Sequence, residues 1–151
     1  MTRSAEPEAC VFCAAPTRDD GRALVVHEGP RCYVILNLYP YNSGHLMVVP
    51  RRHVGRLASV EPEELAEIAA LTRLAEMALT EAFDPQGINV GLNLGRPAGA
   101  GVVDHLHVHL VPRWNGDTNF MSVVGQVRVL PEELPRTAEK LRPIFARLSG
   151  A

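Results

Sequence analysis

Three histidines at alternate positions, His105, His107 and His109, have Leu106, Val108 and Leu110 between and after them. In an extended strand, successive side chains alternate between faces. The three imidazoles therefore project from one face, roughly 6–7 Å from one to the next, and the three apolar residues face a core. Half of the six histidines of the chain fall within these five positions, which ordinary core filling does not produce. Three readings of such a row are open. It can be a solvated strand face, although such faces usually draw on Thr, Lys and Glu as well. It can supply three ligands to a catalytic metal ion. Or one imidazole can act as a nucleophile while its neighbours orient it and handle protons. Imidazole has a reference pKa of about 6.5, so a neutral ring is available near pH 7.

The surroundings of the row add weight to the nucleophile. Gly95, Gly99 and Gly101 lie in a loop of small residues just upstream, where backbone N–H groups can approach an anion closely. Asn93 precedes that loop, with an amide able to donate to a phosphate or ribose oxygen. Arg113 follows the row, and beside it stands the single Trp, Trp114. That indole can stack on a base, close a contact between subunits or simply be buried. A separate candidate is Cys10-Val11-Phe12-Cys13: two thiols of a metal site, two buried thiols or a redox pair. A redox pair ordinarily sits between a strand and a helix, and no strand precedes this one.

These residues must be held by a small fold. The 151 residues fit one domain with one core, spanning residues 1–151, with residues 1–22 as an N-terminal segment around the Cys pair. Runs at 23–28 and 31–38, split by Gly29-Pro30, read as a hairpin. After a turn rich in Pro, Asn, Ser and Gly, residues 45–50 read as a third strand. Acidic residues around Pro62 mark a helix start with Ser59 as cap. Leu65, Ile68, Ala69, Thr72, Ala75 and Leu79 form its stripe, running to about Phe83, and Leu71, Leu74, Met77 and Ala78 widen it to more than one face. Residues 88–94 and 106–112 are the fourth and fifth strands, and 135–148 a final helix. Residues 115–131 have little pattern. The order implies an α+β fold: a mainly antiparallel five-stranded sheet with one long helix packed on it and a C-terminal helix.

The net charge of −2 and pI of about 6.3 argue against a nucleic-acid partner, which calls for a basic excess or stripe. Small phosphorylated ligands remain open. No apolar run is long enough to span a bilayer, so no membrane partner is expected. The polar, acidic N-terminus does not read as a secretory signal, and three Cys do not make a disulfide framework, so a cytoplasmic location is expected. Cys32 reads as a core residue, Arg51 and Arg52 as a solvated pair, and His27 receives no role.

Residues 105–111 resemble the signature of the histidine-triad (HIT) family, in which His alternates with apolar residues. The run from Asn37 through His45 to Pro50 resembles the substrate-side segment of that family, and Asn93-Leu94-Gly95 the segment before its phosphate loop. Pro112-Arg113-Trp114-Asn115-Gly116-Asp117, with Asn119-Phe120, is most similar to a branch containing diadenosine tetraphosphate phosphorylases. The likeness covers about residues 10–125.

The resemblance implies a HIT-like fold and an enzyme that cleaves at the α-phosphate of a dinucleoside polyphosphate or nucleoside phosphoramidate. His107 would be the nucleophile and form a nucleotidyl-histidine. His109 would contact the phosphate and its bridging oxygen, and His45 would support the site. Asn37 would lie near the ribose, and Asn93 would hold phosphate or sugar. Water, or inorganic phosphate in the phosphorylase branch, would release the nucleotide. Many members place Ser or Gln in the phosphate loop; here Ala98-Gly99-Ala100-Gly101-Val102 has neither, leaving the backbone of Gly99 and Gly101. The resemblance also implies a structural zinc on Cys10, Cys13, His53 and His105, no organic cofactor, a purine nucleotide substrate and a homodimer.

Overall fold

The computed structural model describes residues 10–38, 40–99, 104–117 and 133–150. Two short helical turns, α1 (Val11–Ala14) and α2 (Asp19–Arg22), precede β1 (Val25–Glu28), β2 (Cys32–Leu36) and β3 (Leu46–Pro50). The long helix α3 (Pro62–Phe83) follows, then β4 (Gly87–Gly91), β5 (Val108–Arg113) and α4 (Leu134–Leu148). The strands form one sheet in the order β1-β2-β3-β5-β4, and every neighbouring pair is antiparallel. This is the α+β layout expected from the sequence, with β4 at one edge. The turns α1 and α2 lie within the N-terminal segment around the Cys pair.

Strand alternation divides the interior in two. Val34, Leu36, Leu46, Val48, Val108 and Leu110 face α3 and α4 and form the main core with Ile68, Leu71, Ala75, Leu79, Leu141 and Phe145. Tyr33, Ile35, Met47 and Val49 point to the other face, where Cys10, Phe12 and Ala15 cover them. The N-terminal segment is thus a small second layer. His27 stacks on Phe145, ring centroids 5.4 Å apart, at the edge of the main core.

Helix α3 starts at Pro62. Its cap is Glu61, in a capping box with Glu64, whereas Ser59 ends a 3₁₀ turn, Leu57–Ser59. Glu64 is buried and also receives Arg52 at 2.6 Å, while Arg51 donates to the Gly29 carbonyl and to Glu28. The two arginines are therefore structural anchors, not a free solvated pair. The buried stripe of α3 is Glu64, Ile68, Leu71, Ala75, Ala78 and Leu79; Leu65 is 49% exposed and Ala69 is exposed. With apolar residues on more than one face, the 3.6-residue period allows adjacent stripes, and packing on the sheet selects between them.

One glycine is required where the turn before β3 meets α3. Gly44 has φ +82°, and a Cβ there would lie 2.9 Å from the Phe83 ring. Its missing side chain lets the turn close against the helix and places His45 at the start of β3.

Candidate active site and metal centre

The row enters the sheet later than its sequence pattern suggests. β5 begins at Val108, not 106, and pairs with β3 through Val48↔Val108, Met47↔His109 and Leu46↔Leu110. The physical reason is Pro50 at the end of β3. It has no N–H to offer, and its carbonyl is taken by His105 Nε2 at 2.7 Å. The Leu106 N–H turns instead to the Val54 carbonyl at 2.7 Å. The alternation still holds: Leu106, Val108 and Leu110 lie in the main core. The rings are closer than strand geometry alone suggests, because His107 and His109 lean together edge to face, centroids 4.7 Å apart.

His107 is 8% exposed. Its Nδ1 lies 2.9 Å from the His105 carbonyl. A carbonyl only accepts, so Nδ1 holds the proton and Nε2 holds the lone pair. Burial lowers the pKa of the ring below the ordinary histidine value, which keeps it neutral and nucleophilic.

His45 and His109 have the complementary arrangement. The Tyr41 backbone N–H donates to His45 Nδ1 at 3.1 Å, so the neutral His45 ring has its proton on Nε2. That nitrogen lies 2.9 Å from His109 Nδ1 and donates to it. His109 Nδ1 is then an acceptor, and its proton sits on Nε2. Burial, with the nearby His109 and His107 rings adding to it, pushes His45 down to about 4; burial and then His107 lower His109. The set therefore has an acceptor nitrogen on His107 beside a donor nitrogen on His109.

A second cluster lies at the other end of the row. The ligand atoms of Cys10, Cys13, His53 and His105 all fall within 4.8 Å of one another. His105 Nδ1 is 3.3 Å from Cys10 Sγ and 3.4 Å from Cys13 Sγ. His53 Nδ1 is 3.2 Å from Cys13 Sγ and 3.3 Å from His105 Nδ1. Because His105 Nε2–H donates to the Pro50 carbonyl, its Nδ1 lone pair faces the cluster, the usual orientation of a ligating histidine. The four side chains could hold a metal ion. Both nitrogens of His105 are then engaged, so the row cannot give three ligands to one catalytic ion.

Residues 19–116 match the family model of the HIT domain. The chain belongs to the histidine-triad (HIT) family. It is 46% identical over 144 residues to an AP-4-A phosphorylase of Mycobacterium tuberculosis, covering 95% of this chain and 73% of that protein. It is also 31% identical over 113 residues to an adenylylsulfatase of Arabidopsis thaliana, covering 75% of this chain and 56% of the relative. Among solved structures, a Zn-bound histidine triad family protein from Mycobacterium smegmatis superposes with a TM-score of 0.76 at 29% identity, covering 96% of this chain and 99% of that one. The chain is thus an enzyme-family member of nucleotide-processing type.

Within this HIT fold, the remaining candidate residues fall in different places. Asn37 adjoins the imidazoles: its amide nitrogen is 3.4 Å from His45 Nε2, and its N–H donates to the His45 carbonyl at 3.0 Å. Asn93 is exposed and reaches the Gly99 carbonyl at 3.4 Å, bracing the loop in which Gly99 has φ +99°. Trp114 is half-buried. Among the described residues, neither Asn93 nor Trp114 forms a hydrogen bond or ring contact with an imidazole. Gly101 lies outside the described residues, as do Tyr39 and residues 118–131. Phe12 was missed by the sequence reading. Its ring lies 4.7 Å from that of His107 and 5.6 Å from that of His105, and its carbonyl accepts the buried Tyr33 hydroxyl at 2.5 Å. Its only sequence signal was its place inside the Cys-x-x-Cys turn.

Proposed function

We propose that this HIT protein is a nucleotidyl-transferring enzyme that cleaves a dinucleoside polyphosphate at its α-phosphorus through His107. The single observation that supports this most is the fixed tautomer of His107, with Nδ1–H on a carbonyl and the Nε2 lone pair left for attack. In the proposed reaction, the Nε2 lone pair forms a P–N bond. The P–O bond to the departing polyphosphate breaks, and its electron pair leaves with that oxygen. His109 Nε2–H donates to a phosphate oxygen as charge builds there. The positive charge that develops on His107 is met by the His105 carbonyl. An acceptor oxygen then attacks phosphorus, the P–N bond breaks, and Nε2 recovers its lone pair. The 46% identity to an AP-4-A phosphorylase favours inorganic phosphate as acceptor and diadenosine tetraphosphate as substrate. Water is the acceptor in the alternative reading, with nucleoside phosphoramidates as further substrates. Asn37, Asn93, the backbone of Gly99 and Gly101, and Trp114 are the proposed substrate contacts.

The metal proposed for Cys10, Cys13, His53 and His105 is zinc. A zinc tetrahedron with Zn–S near 2.3 Å and Zn–N near 2.0 Å has edges of about 3.3 Å between nitrogens and about 3.5 Å between sulfur and nitrogen. The observed 3.2–3.4 Å separations fit it. A closed Cys₂His₂ set supplies structural cohesion, tying the N-terminal segment to the row. The proposal includes a homodimer, supported by β4 as a sheet edge with Val90 52% and Leu94 45% exposed beside it.

The test is turnover of diadenosine tetraphosphate, a nucleoside phosphoramidate and adenylyl sulfate, with and without inorganic phosphate, combined with mass spectrometry of single-turnover samples. A nucleotide adduct on His107 and phosphate-dependent release of a nucleoside diphosphate are expected. Turnover without an adduct, at a rate that His107→Ala leaves unchanged, would overturn the reading.

A further inference from the structure

The residues just after β5 tie a knot around one carboxylate. Arg113 grips Asp117 at two points, Nε at 2.9 Å and a terminal nitrogen at 3.0 Å. The Asn42 side-chain amide donates to the same carboxylate at 2.8 Å, and the Trp114 backbone N–H at 3.1 Å. Only 12% of the Asp117 side chain is exposed. The Asn42 amide also donates to the Pro112 carbonyl at 2.9 Å, and the Arg113 guanidinium lies 5.4 Å from the Tyr41 ring centre.

This knot therefore has two handles on consecutive residues of the turn before β3: Asn42 directly, and Tyr41 through Arg113. The backbone N–H of Tyr41 is the donor that makes His45 Nδ1 an acceptor. We propose that Asp117 is a positioning residue. By clamping Asn42 and Arg113, it holds the Tyr41 N–H on His45 and keeps the His45–His109 pair in the one tautomer that leaves a proton on His109 Nε2.

The physics favours a clamp at this point. A free neutral imidazole exchanges its proton between two nitrogens. A rigid backbone donor removes that freedom, because a proton on Nδ1 would then face another N–H. The donor sits on an exposed turn residue, Tyr41, 55% exposed, so its position depends on what holds the turn. The Asp117 charge is matched by Arg113, so the clamp fixes geometry while adding little net charge beside an anionic substrate. The inference rests on the proposed role of His109 as donor to the phosphate, and the test separates the two.

The experiment compares the full-length chain with Asp117→Ala, Asp117→Asn and Asn42→Ala. It reads imidazole ¹⁵N shifts, Tyr41 amide exchange, and kcat and KM for diadenosine tetraphosphate, with Tm and metal content alongside. In the parent protein, the two His45 nitrogens give distinct protonated and unprotonated shifts. In Asp117→Ala they move toward the averaged shifts of an exchanging pair, Tyr41 amide exchange rises about tenfold, and kcat falls about tenfold with KM little changed. Asn42→Ala reproduces this, and it supplies the test should Asp117→Ala not fold. Asp117→Asn, which retains an acceptor for Asn42, recovers part of the loss. Unchanged His45 shifts and Tyr41 exchange in both Asp117→Ala and Asn42→Ala would overturn the clamp. Altered shifts with unchanged kcat would uphold the clamp and remove His109 from the reaction.

Discussion

Two groups of imidazoles share one short run of chain and are wired in opposite ways. In the Cys₂His₂ corner, Nδ1 of His105 and of His53 lie beside the Cys10 and Cys13 thiols, and the four potential ligand atoms fall within 4.8 Å of one another. Around His107, lone pairs and N–H groups alternate from the Tyr41 amide through His45 to His109. The residue type is the same throughout. What differs is which ring nitrogen the backbone claims. A carbonyl on Nε2, as at His105, makes a ligand of Nδ1. A carbonyl on Nδ1, as at His107, makes Nε2 the proposed nucleophile. An amide N–H on Nδ1, as at His45, makes Nε2 a donor. The two groups are also joined, since the carbonyl that orients His107 belongs to His105, and the Phe12 ring between the two cysteines lies against His107.

This contrast can be broken most severely at His107. His107→Ala is expected to cut turnover by about a thousandfold or more and abolish the adduct, while the metal corner retains its full metal content. Loss of metal in that variant would mean the two groups are one site. His109→Gln should cost about a hundredfold in kcat with the adduct still formed slowly, as rapid-quench kinetics would measure. A rate equal to the parent would leave the alternating chain without a role. Cys10→Ser/Cys13→Ser should lose its metal and lower Tm by roughly 10 °C, with a smaller fall in kcat than His109→Gln. Metal retained at full stoichiometry would place the ion on the row instead.

The mildest expected effect concerns pH. His45 is held down at about 4 in the folded chain, against about 6.5 when unfolded. Below pH 6.5 the unfolded chain takes up a proton that the folded one refuses, so stability falls as pH drops from about 6.5 toward 4. Denaturant unfolding across that window should show the decline, and His45→Asn should make it shallower, the lowered His107 and His109 keeping the remainder. An equal slope in the variant would assign the decline to other groups.

Much of this was legible along the chain, for local reasons. Gly29-Pro30 separates β1 from β2 where the sequence suggested, since Pro and Gly act on the backbone where they stand. Strand alternation put Leu106, Val108 and Leu110 on the core side without any tertiary knowledge. The start of β5 was not legible, because it depends on Pro50, more than fifty residues away. The stripe of α3 was legible in part: the widening residues Leu71 and Ala78 are covered, as are Ile68, Ala75 and Leu79, while packing leaves Leu65 exposed. Asp117 and Phe12 lay inside recognised motifs, but their contacts with Asn42 and with the His107 ring were not legible, because those partners are distant in sequence.

The sequence by itself determined the period-two placement of the imidazoles, the glycine and proline punctuation and the donor types available for a metal. Those follow from bonds and sterics within a few residues. Only the tertiary structure decided which nitrogen of each ring holds a proton, because that depends on a single carbonyl or amide delivered to hydrogen-bond distance. For His105 and Pro50, that partner comes from another part of the chain.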